Sequence, residues 1–416
     1  MVTKTKVLPK NLNTQALERD FVKSFKPFYY AMKMFGLAPY CFDIEMRVDT
    51  TFTSNVFSLI WSVLLLILVV FQSALSLICA KKLSLFEELA TVTRISLLLL
   101  TFASIIPLIS INVTHRNKFR TLFENLWIVD KNIFYEAPVN KNYKTMRKII
   151  FMEIILLVTF AVLACIDSYI WAFARPEQRA FEIGTRFLIL LCTVTYVVYC
   201  NVAYLIYNRL ISVRKRLEIV LNQIEKIGVT DGKYFSCLEF SNNSEEYADR
   251  QKVEISTKIL SLRHTYSKIY GINKCLNSML GLYVVFEMIY NFLSFVSHTY
   301  IGVIHFKYLE VDFSLHDASL LMWILFHLVK QGIMCVICDL SYSETNGLQE
   351  TVQNIILRVD NYGIQQQAQL FSTQISRSKI YFSAAGFYEL NRSLFYNSVS
   401  SAVSFIVLLI QFRRDN

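Results

Sequence analysis

The sequence predicts an all-α integral membrane protein with seven transmembrane helices. Its N-terminus is placed in the cytosol, its C-terminus outside, and long helices run on into a cytosolic anchor. Three observations carry this. Seven apolar runs, 55–79, 94–113, 149–173, 187–211, 279–304, 318–338 and 394–412, are each long enough to cross a hydrocarbon core of about 30 Å. The 416 residues are 54% hydrophobic and 18% charged, against about 25% charged in soluble domains. Basic residues favour alternate segments. Residues 1–54, 114–148, 212–277 and 339–393 carry 31 Lys plus Arg, the other loops and the tail 8, and the positive-inside rule puts the first set in the cytosol. The net charge of +10 is thereby spent on orientation, since the basic residues flank apolar spans, and no nucleic-acid partner is expected.

Residues 1–54 form a polar, basic N-terminal segment without the short apolar core and cleavage site of a signal peptide. Residues 55–338 hold six spans as a bundle, with helical extensions at about 212–277. Residues 339–393 read as cytosolic anchor helices, 394–412 as the last span and 413–416 as an outer tail. Seven spans with the N-terminus inside reverse the topology of a G-protein-coupled receptor. No disulfide framework follows from the nine Cys, six of which lie in apolar spans. Cys335 and Cys338 form a C-x-x-C without a second pair and read as two small packing residues. The sequons at Asn112, Asn242 and Asn391 fall on the cytosolic side and should carry no sugar.

The extensions have their own pattern. Leu210, Val213, Leu217, Val220, Ile224 and Ile227 recur at 3–4 spacing after the fourth span. Ile255, Ile259, Leu262, Tyr266 and Ile269 do so before the fifth. Narrow seams of this kind pack helix on helix. Between them, 228–252 reads as a flexible loop with Asp231-Gly232 and a Ser/Asn/Glu run. Leu348, Val352, Ile355 and Val359 form a further seam, and the Gln-rich 365–369 reads as solvated helix surface. Catalytic, nucleotide and metal motifs are missing and the six His are scattered, so neither an enzyme nor a cofactor is expected.

Polar residues within the spans are costly in lipid and carry the remaining signal. Glu287 of the fifth span and Lys330 of the sixth lie at similar depth, about 12–14 Å above the cytosolic edge at 1.5 Å per residue. They are expected to pair, or to share a wet cavity with His327. A second group sits in the outer halves of the spans: Thr101, Asp167, Trp171, Tyr196, Asn291, His298 and Trp323. Trp171 also suits an interfacial anchor. Hydroxyl, amide, acid and indole groups at one depth on several helices describe a small-molecule pocket, in which a sugar or a planar plant metabolite would stack on Trp323.

In the last span Asn397, Ser400, Ser401, Ser404 and Gln411 fall within a stripe about 100° wide, which Leu408 shares. Such a stripe faces either water in a pore or another helix. Just before it runs Phe382-Ser383-Ala384-Ala385-Gly386-Phe387-Tyr388-Glu389-Leu390-Asn391-Arg392-Ser393-Leu394, and within it Ser404-Phe405-Ile406-Val407-Leu408-Leu409-Ile410-Gln411-Phe412. These segments resemble the insect gustatory receptor family, seven-span chemoreceptor channels in one superfamily with the insect odorant receptors. That family's last span ends in Thr-Tyr, five hydrophobic residues and Gln-Phe. Here Ser404 and Phe405 replace Thr and Tyr, which keeps a hydroxyl and a ring but loses the phenol hydroxyl. Lys26-Pro27-Phe28 and Gly36-Leu37-Ala38-Pro39-Tyr40 resemble the family's N-terminus.

The resemblance implies a ligand-gated cation channel of four subunits in the plasma membrane, surrounded by lipid and opened by a small-molecule tastant. Homotetramers, or mixed assemblies with other receptors, are its implied form. The six-helix bundle would bind the ligand, and 394–412 would line the pore with Asn397, Ser400, Ser401, Ser404, Leu408, Gln411 and Phe412. Leu408 would form a hydrophobic gate. Sugar-type members of the family carry Glu after the Thr-Tyr pair, where this chain has Ile406. That leans toward a bitter or other plant compound and away from a sweet sugar. An odorant-type channel and a transporter are the alternatives.

Overall fold

Each apolar run lies in a helix of the computed structural model. It describes short stretches between residues 23 and 54, and residues 56–79, 87–134, 140–174, 179–234, 242–308 and 315–414. The span-bearing helices are α1 (Val56–Cys79), α2 (Glu87–Ile109), α4 (Asn140–Ala174), α5 (Arg179–Tyr234), α6 (Asn242–Tyr308), α7 (Leu315–Arg358) and α9 (Arg392–Arg414). Six of the seven are long and apolar enough over their described residues to cross a membrane. The described apolar part of α1, Leu59–Leu75, is shorter.

A hydrocarbon core takes up about 20 helical residues. The 56 residues of α5, 67 of α6 and 44 of α7 therefore project well beyond it. At that extended end the seams are buried: Leu210, Val213 and Leu217 on α5, Ile259 and Tyr266 on α6, and Leu348, Val352 and Ile355 on α7. Two amphipathic helices complete the base. α3 (Arg116–Phe134) packs on α6, and α8 (Tyr362–Arg377) packs on α6 and α7 through Ile364, Ala368, Phe371 and Ile375. Arg209 bonds Asp130 through Nε and Nη2 at 2.6 and 2.9 Å, both side chains buried, and so ties α5 to α3. The segment read as a loop is shorter than expected. Helix continues to Tyr234 and resumes at Asn242, and 235–241 lie outside the described residues.

Part of the N-terminal segment is not simply polar. Tyr29, Met32, Phe35 and Leu37 are buried, and the chain turns at Gly36 with φ +70°. The Gly36 carbonyl accepts from Ser62 Oγ at 2.9 Å and from Asn112 Nδ2 at 2.8 Å. Asn112 belongs to a π-helical turn, Ser110–Thr114, that ends α2, and Ser110 Oγ donates to the Met279 carbonyl at 2.5 Å.

A two-stranded hairpin, β3 (Ser383–Ala384) with β4 (Tyr388–Glu389), leads directly into α9; the other two-stranded pairing is β1 (Tyr40–Cys41) with β2 (Thr53–Ser54). A Cβ on Gly281 would lie 2.9 Å from the Ala385 nitrogen, so only glycine lets α6 approach the hairpin this closely. Asn391 caps α9, its Oδ1 accepting from the Leu394 amide at 2.8 Å. The start of the last span is thus fixed to the long central helix.

Candidate functional site

A column of polar side chains runs through the part of the bundle away from the base. Its first node is Asp167 on α4, which is buried. Oδ2 accepts from Arg186 Nη2 at 2.6 Å and from Trp323 Nε1 at 3.0 Å, and Oδ1 accepts from Ser319. One carboxylate thereby joins α4, α5 and α7. The Arg186 guanidinium carbon lies 4.4 Å from the Trp323 ring centroid. Trp323 meets Phe160 edge-on at 5.6 Å and stacks with His298 and His327 at 6.1 and 6.0 Å.

The second node is an ion pair between Lys330 of α7 and Glu287 of α6, both buried. Asn291 bridges the nodes. Its Nδ2 donates to the Glu287 carbonyl and to Glu287 Oε1 at 2.9 and 3.0 Å, while its Oδ1 lies 2.9 Å from His327 Nδ1. The amide oxygen can only accept, so His327 Nδ1 carries the proton and Nε2 is left as an acceptor. That Nε2 is buried and has no hydrogen-bond partner. His298 Nδ1 lies 2.6 Å from the Ser294 carbonyl and is protonated for the same reason. Lys330 Nζ sits 5.2 Å from the Tyr196 ring centroid. The column is filled by its own side chains: Trp323 and His327 are each 1% exposed.

Lys330 begins a three-residue stretch of α7 that reaches α9. Gln331 Nε2 donates to Ser398 Oγ at 2.8 Å, and a Cβ on Gly332 would touch the Phe395 ring at 3.4 Å. Nearer the base, Arg392 pairs with Asp339 at 3.1 Å. Among the described residues, Gln331–Ser398 is the side-chain hydrogen bond that links α7 and α9 within the apolar part. An apolar groove of about 500 Å³ lies beside it, lined by Leu328, Val329, Gly332, Ile333, Val336, Ile337 and Phe395.

Three faces divide α9. Ala402 and Ile406 are buried against Val296 of α6, and Leu409 and Ile410 pack on Tyr300 and Ile304. Tyr396, Val403 and Val407 form an exposed apolar face. Asn397, Ser400, Ser401, Ser404, Leu408 and Gln411 form an exposed stripe, turned away from the bundle. The stripe hydroxyls find few partners; Ser404 Oγ donates to its own helix at the Ser400 carbonyl, 3.1 Å.

The structure brings together Asp167, Tyr196, Asn291, His298 and Trp323 with Glu287, His327 and Lys330. The two groups separated by depth in the sequence are one column. Thr101 stands apart, its hydroxyl bonded to the Leu97 carbonyl of its own helix at 2.9 Å. Trp171 and Phe412 lie in α4 and α9, with side chains outside the described residues. Sequence reasoning missed Arg186, which precedes the fourth apolar run by one residue and counts there as a loop charge. It also missed Gln331, and Glu153, whose Oε2 accepts from Asn201 Nδ2 at 2.6 Å inside the third span. The signal for Glu153 was present, as an acid amid an apolar run.

A bundle of apolar helices with a buried polar column and a base of long helical extensions defines a multi-span membrane protein. The chain belongs to the 7tm Chemosensory receptor family, which it matches over residues 25–415. It is 22% identical over 236 residues to "Putative gustatory receptor 2a" of Drosophila melanogaster, a match covering 51% of this chain and 54% of that one. It is 21% identical over 218 residues to "Gustatory receptor 68a" of the same species, covering 50% and 52%. The chain spans about half the length of the curated relatives it matches. Its fold is similar to the structure of the insect olfactory receptor OR5 from Machilis hrabei, with a TM-score of 0.68 and 13% identity, covering 95% of this chain and 99% of that one. The same receptor in complex with eugenol aligns with a TM-score of 0.65 and 13% identity, at the same coverage. The chain is thus a multi-span membrane protein of the chemosensory receptor family, a family that is not one of enzymes.

Proposed function

We propose that this protein is a gustatory receptor acting as a ligand-gated, non-selective cation channel, assembled from four copies around their α9 helices. The observation that carries this reading is the position of the α9 stripe. Four hydroxyl- or amide-bearing residues and Gln411 face away from the chain's own bundle, while the opposite side is packed on α6. Lipid is a poor solvent for that face, so an aqueous axis between copies is its natural counterpart. In this arrangement the base lies in the cytosol, where its basic residues place it, and the tail outside. Leu408 narrows the conduit and closes it by dewetting.

The column is the proposed ligand site and α7 the coupling element. A ligand opens the channel only by binding the open state better than the closed one. Displacing side chains around Trp323 would move α7, and Gln331 would carry that movement to Ser398 on α9. The ligand class is a bitter or other plant compound. Ile406 stands where sugar-type members of the family carry Glu, and it is buried beside Val296 of α6. An odorant-type channel is the second reading, favoured by the fold similarity to an olfactory receptor.

Cysteine accessibility tests the pore. Ser400→Cys and Ser404→Cys receptors in oocytes should lose ligand-evoked current on treatment with aqueous methanethiosulfonate. Retention of full current by both, at rest and during stimulation, would remove the conduit. Leu408→Ala should conduct without ligand, and a silent resting membrane would remove the gate.

A further inference from the structure

Arg186 sits where a ligand site would hold its ligand. Its guanidinium lies over the Trp323 indole at 4.4 Å and its Nη2 lies 2.6 Å from the Asp167 carboxylate. A carboxylate beside an aromatic face is how proteins hold organic cations. The rest of the indole is enclosed by Phe160, Phe326, His298 and His327, with centroids 5.6 to 6.1 Å away. A guest therefore reaches this face by displacing the guanidinium.

Charge then selects the guest. A neutral molecule in place of the guanidinium would leave Asp167, only 3% exposed, as an unpaired anion among apolar helices. A cation exchanges one positive charge for another and leaves the balance as it was. His327 adds a second mark beside the same indole: its buried Nε2 is an acceptor without a partner, suited to an N–H donor. Arg186 itself has somewhere to go. It lies within two turns of the start of α5, and its long side chain can carry its charge to the membrane border.

We infer that the Asp167–Trp323 face recognises an organic cation, a protonated amine or guanidinium compound, and that Arg186 is the tethered occupant such a ligand displaces. This rests on the reading of the column as the ligand site and names its ligand class.

The test uses purified full-length receptor, with tryptamine as cationic probe and tryptophol as its neutral counterpart. Thermal unfolding reads binding, and oocyte current reads gating separately. Tryptamine should raise the unfolding temperature of the wild type and tryptophol should not. Arg186→Ala should bind tryptamine at least about tenfold more tightly, a change of about 1.4 kcal/mol, and millimolar methylguanidine should restore its thermal stability. Asp167→Asn should abolish the preference for the amine. Should Arg186→Ala fail to fold, Arg186→Lys keeps the charge but not the planar fork, and should shift tryptamine binding the same way by less. Equal effects of the two probes on wild type and Arg186→Lys, or tryptamine binding unchanged in Asp167→Asn, would overturn the inference. Amine binding without current would leave the site standing and remove the gating reading. Current evoked by tryptophol, without amine binding, would do the reverse.

Discussion

Helices α4 and α9 are equally bare in a single chain. Only 11% of the apolar window of each is buried. What they expose differs. α4 presents Phe151, Met152, Ile155, Leu156, Val158 and Val162, with an occasional hydroxyl such as Thr159 bonded to its own helix at the Ile155 carbonyl. α9 presents a serine and amide stripe beside an apolar face. The same exposure therefore has two meanings. An apolar face is satisfied by lipid chains, whereas a polar stripe is satisfied by water or by another protein. Exposure by itself does not mark an interface; exposure of groups that lipid cannot satisfy does.

The polar column sharpens this contrast, because it is polar and yet turned into the bundle, with Asp167, Glu287, Asn291, Trp323, His327 and Lys330 all buried. Its largest effect should come from breaking the ion pair. Lys330→Met or Glu287→Leu alone should cost about 3–5 kcal/mol by leaving one buried charge unpaired, and the double substitution should recover most of it. Surface expression and thermal unfolding of the three variants check this. Additive losses in the double variant would show that the charges act separately.

Next in size is a direct comparison of the two bare helices. Leu156→Arg in α4 should lower insertion by about 2.5–3.5 kcal/mol and remove the receptor from the surface. Ser401→Arg in α9 should reach the surface and suppress cation current, because in the proposed conduit its charge would meet water. Equal loss of surface protein in both would erase the distinction between the faces. The smallest effect belongs to the link between the column and α9. Gln331→Leu should shift ligand sensitivity by about 1 kcal/mol, as expected of a hydrogen bond between helices in lipid. Ser398→Ala should add nothing in that background, and an additive double variant would dissolve the link.

Much of this organisation was legible in the residues. Seven apolar runs became span-bearing helices because a stretch of about 20 apolar residues has no cheaper conformation in lipid than helix. The seams at Leu210–Leu217, Ile255–Ile269 and Leu348–Ile355 were legible because 3–4 spacing places residues on one face, and all are buried. Glu287 and Lys330 could be matched by depth, since rise per residue is constant. Arg186 could not, because it stands at the border of a run, where position along the chain does not say whether a side chain points to water or inward. The N-terminal residues Tyr29–Leu37 were hidden among lysines, although Met32 and Leu37 are almost fully buried.

The spans, the basic asymmetry, the seams and the polar stripe of α9 can be read without coordinates, since each follows from periodicity or composition within one segment. The tertiary structure alone decided that Asp167 meets Arg186, Ser319 and Trp323, that His327 and Lys330 belong to one column, and that the α9 stripe turns outward while Ala402 and Ile406 turn in. Those contacts join helices far apart in the chain. Rotation about each helix axis sets them, and that rotation is chosen jointly by all the neighbours a helix packs against.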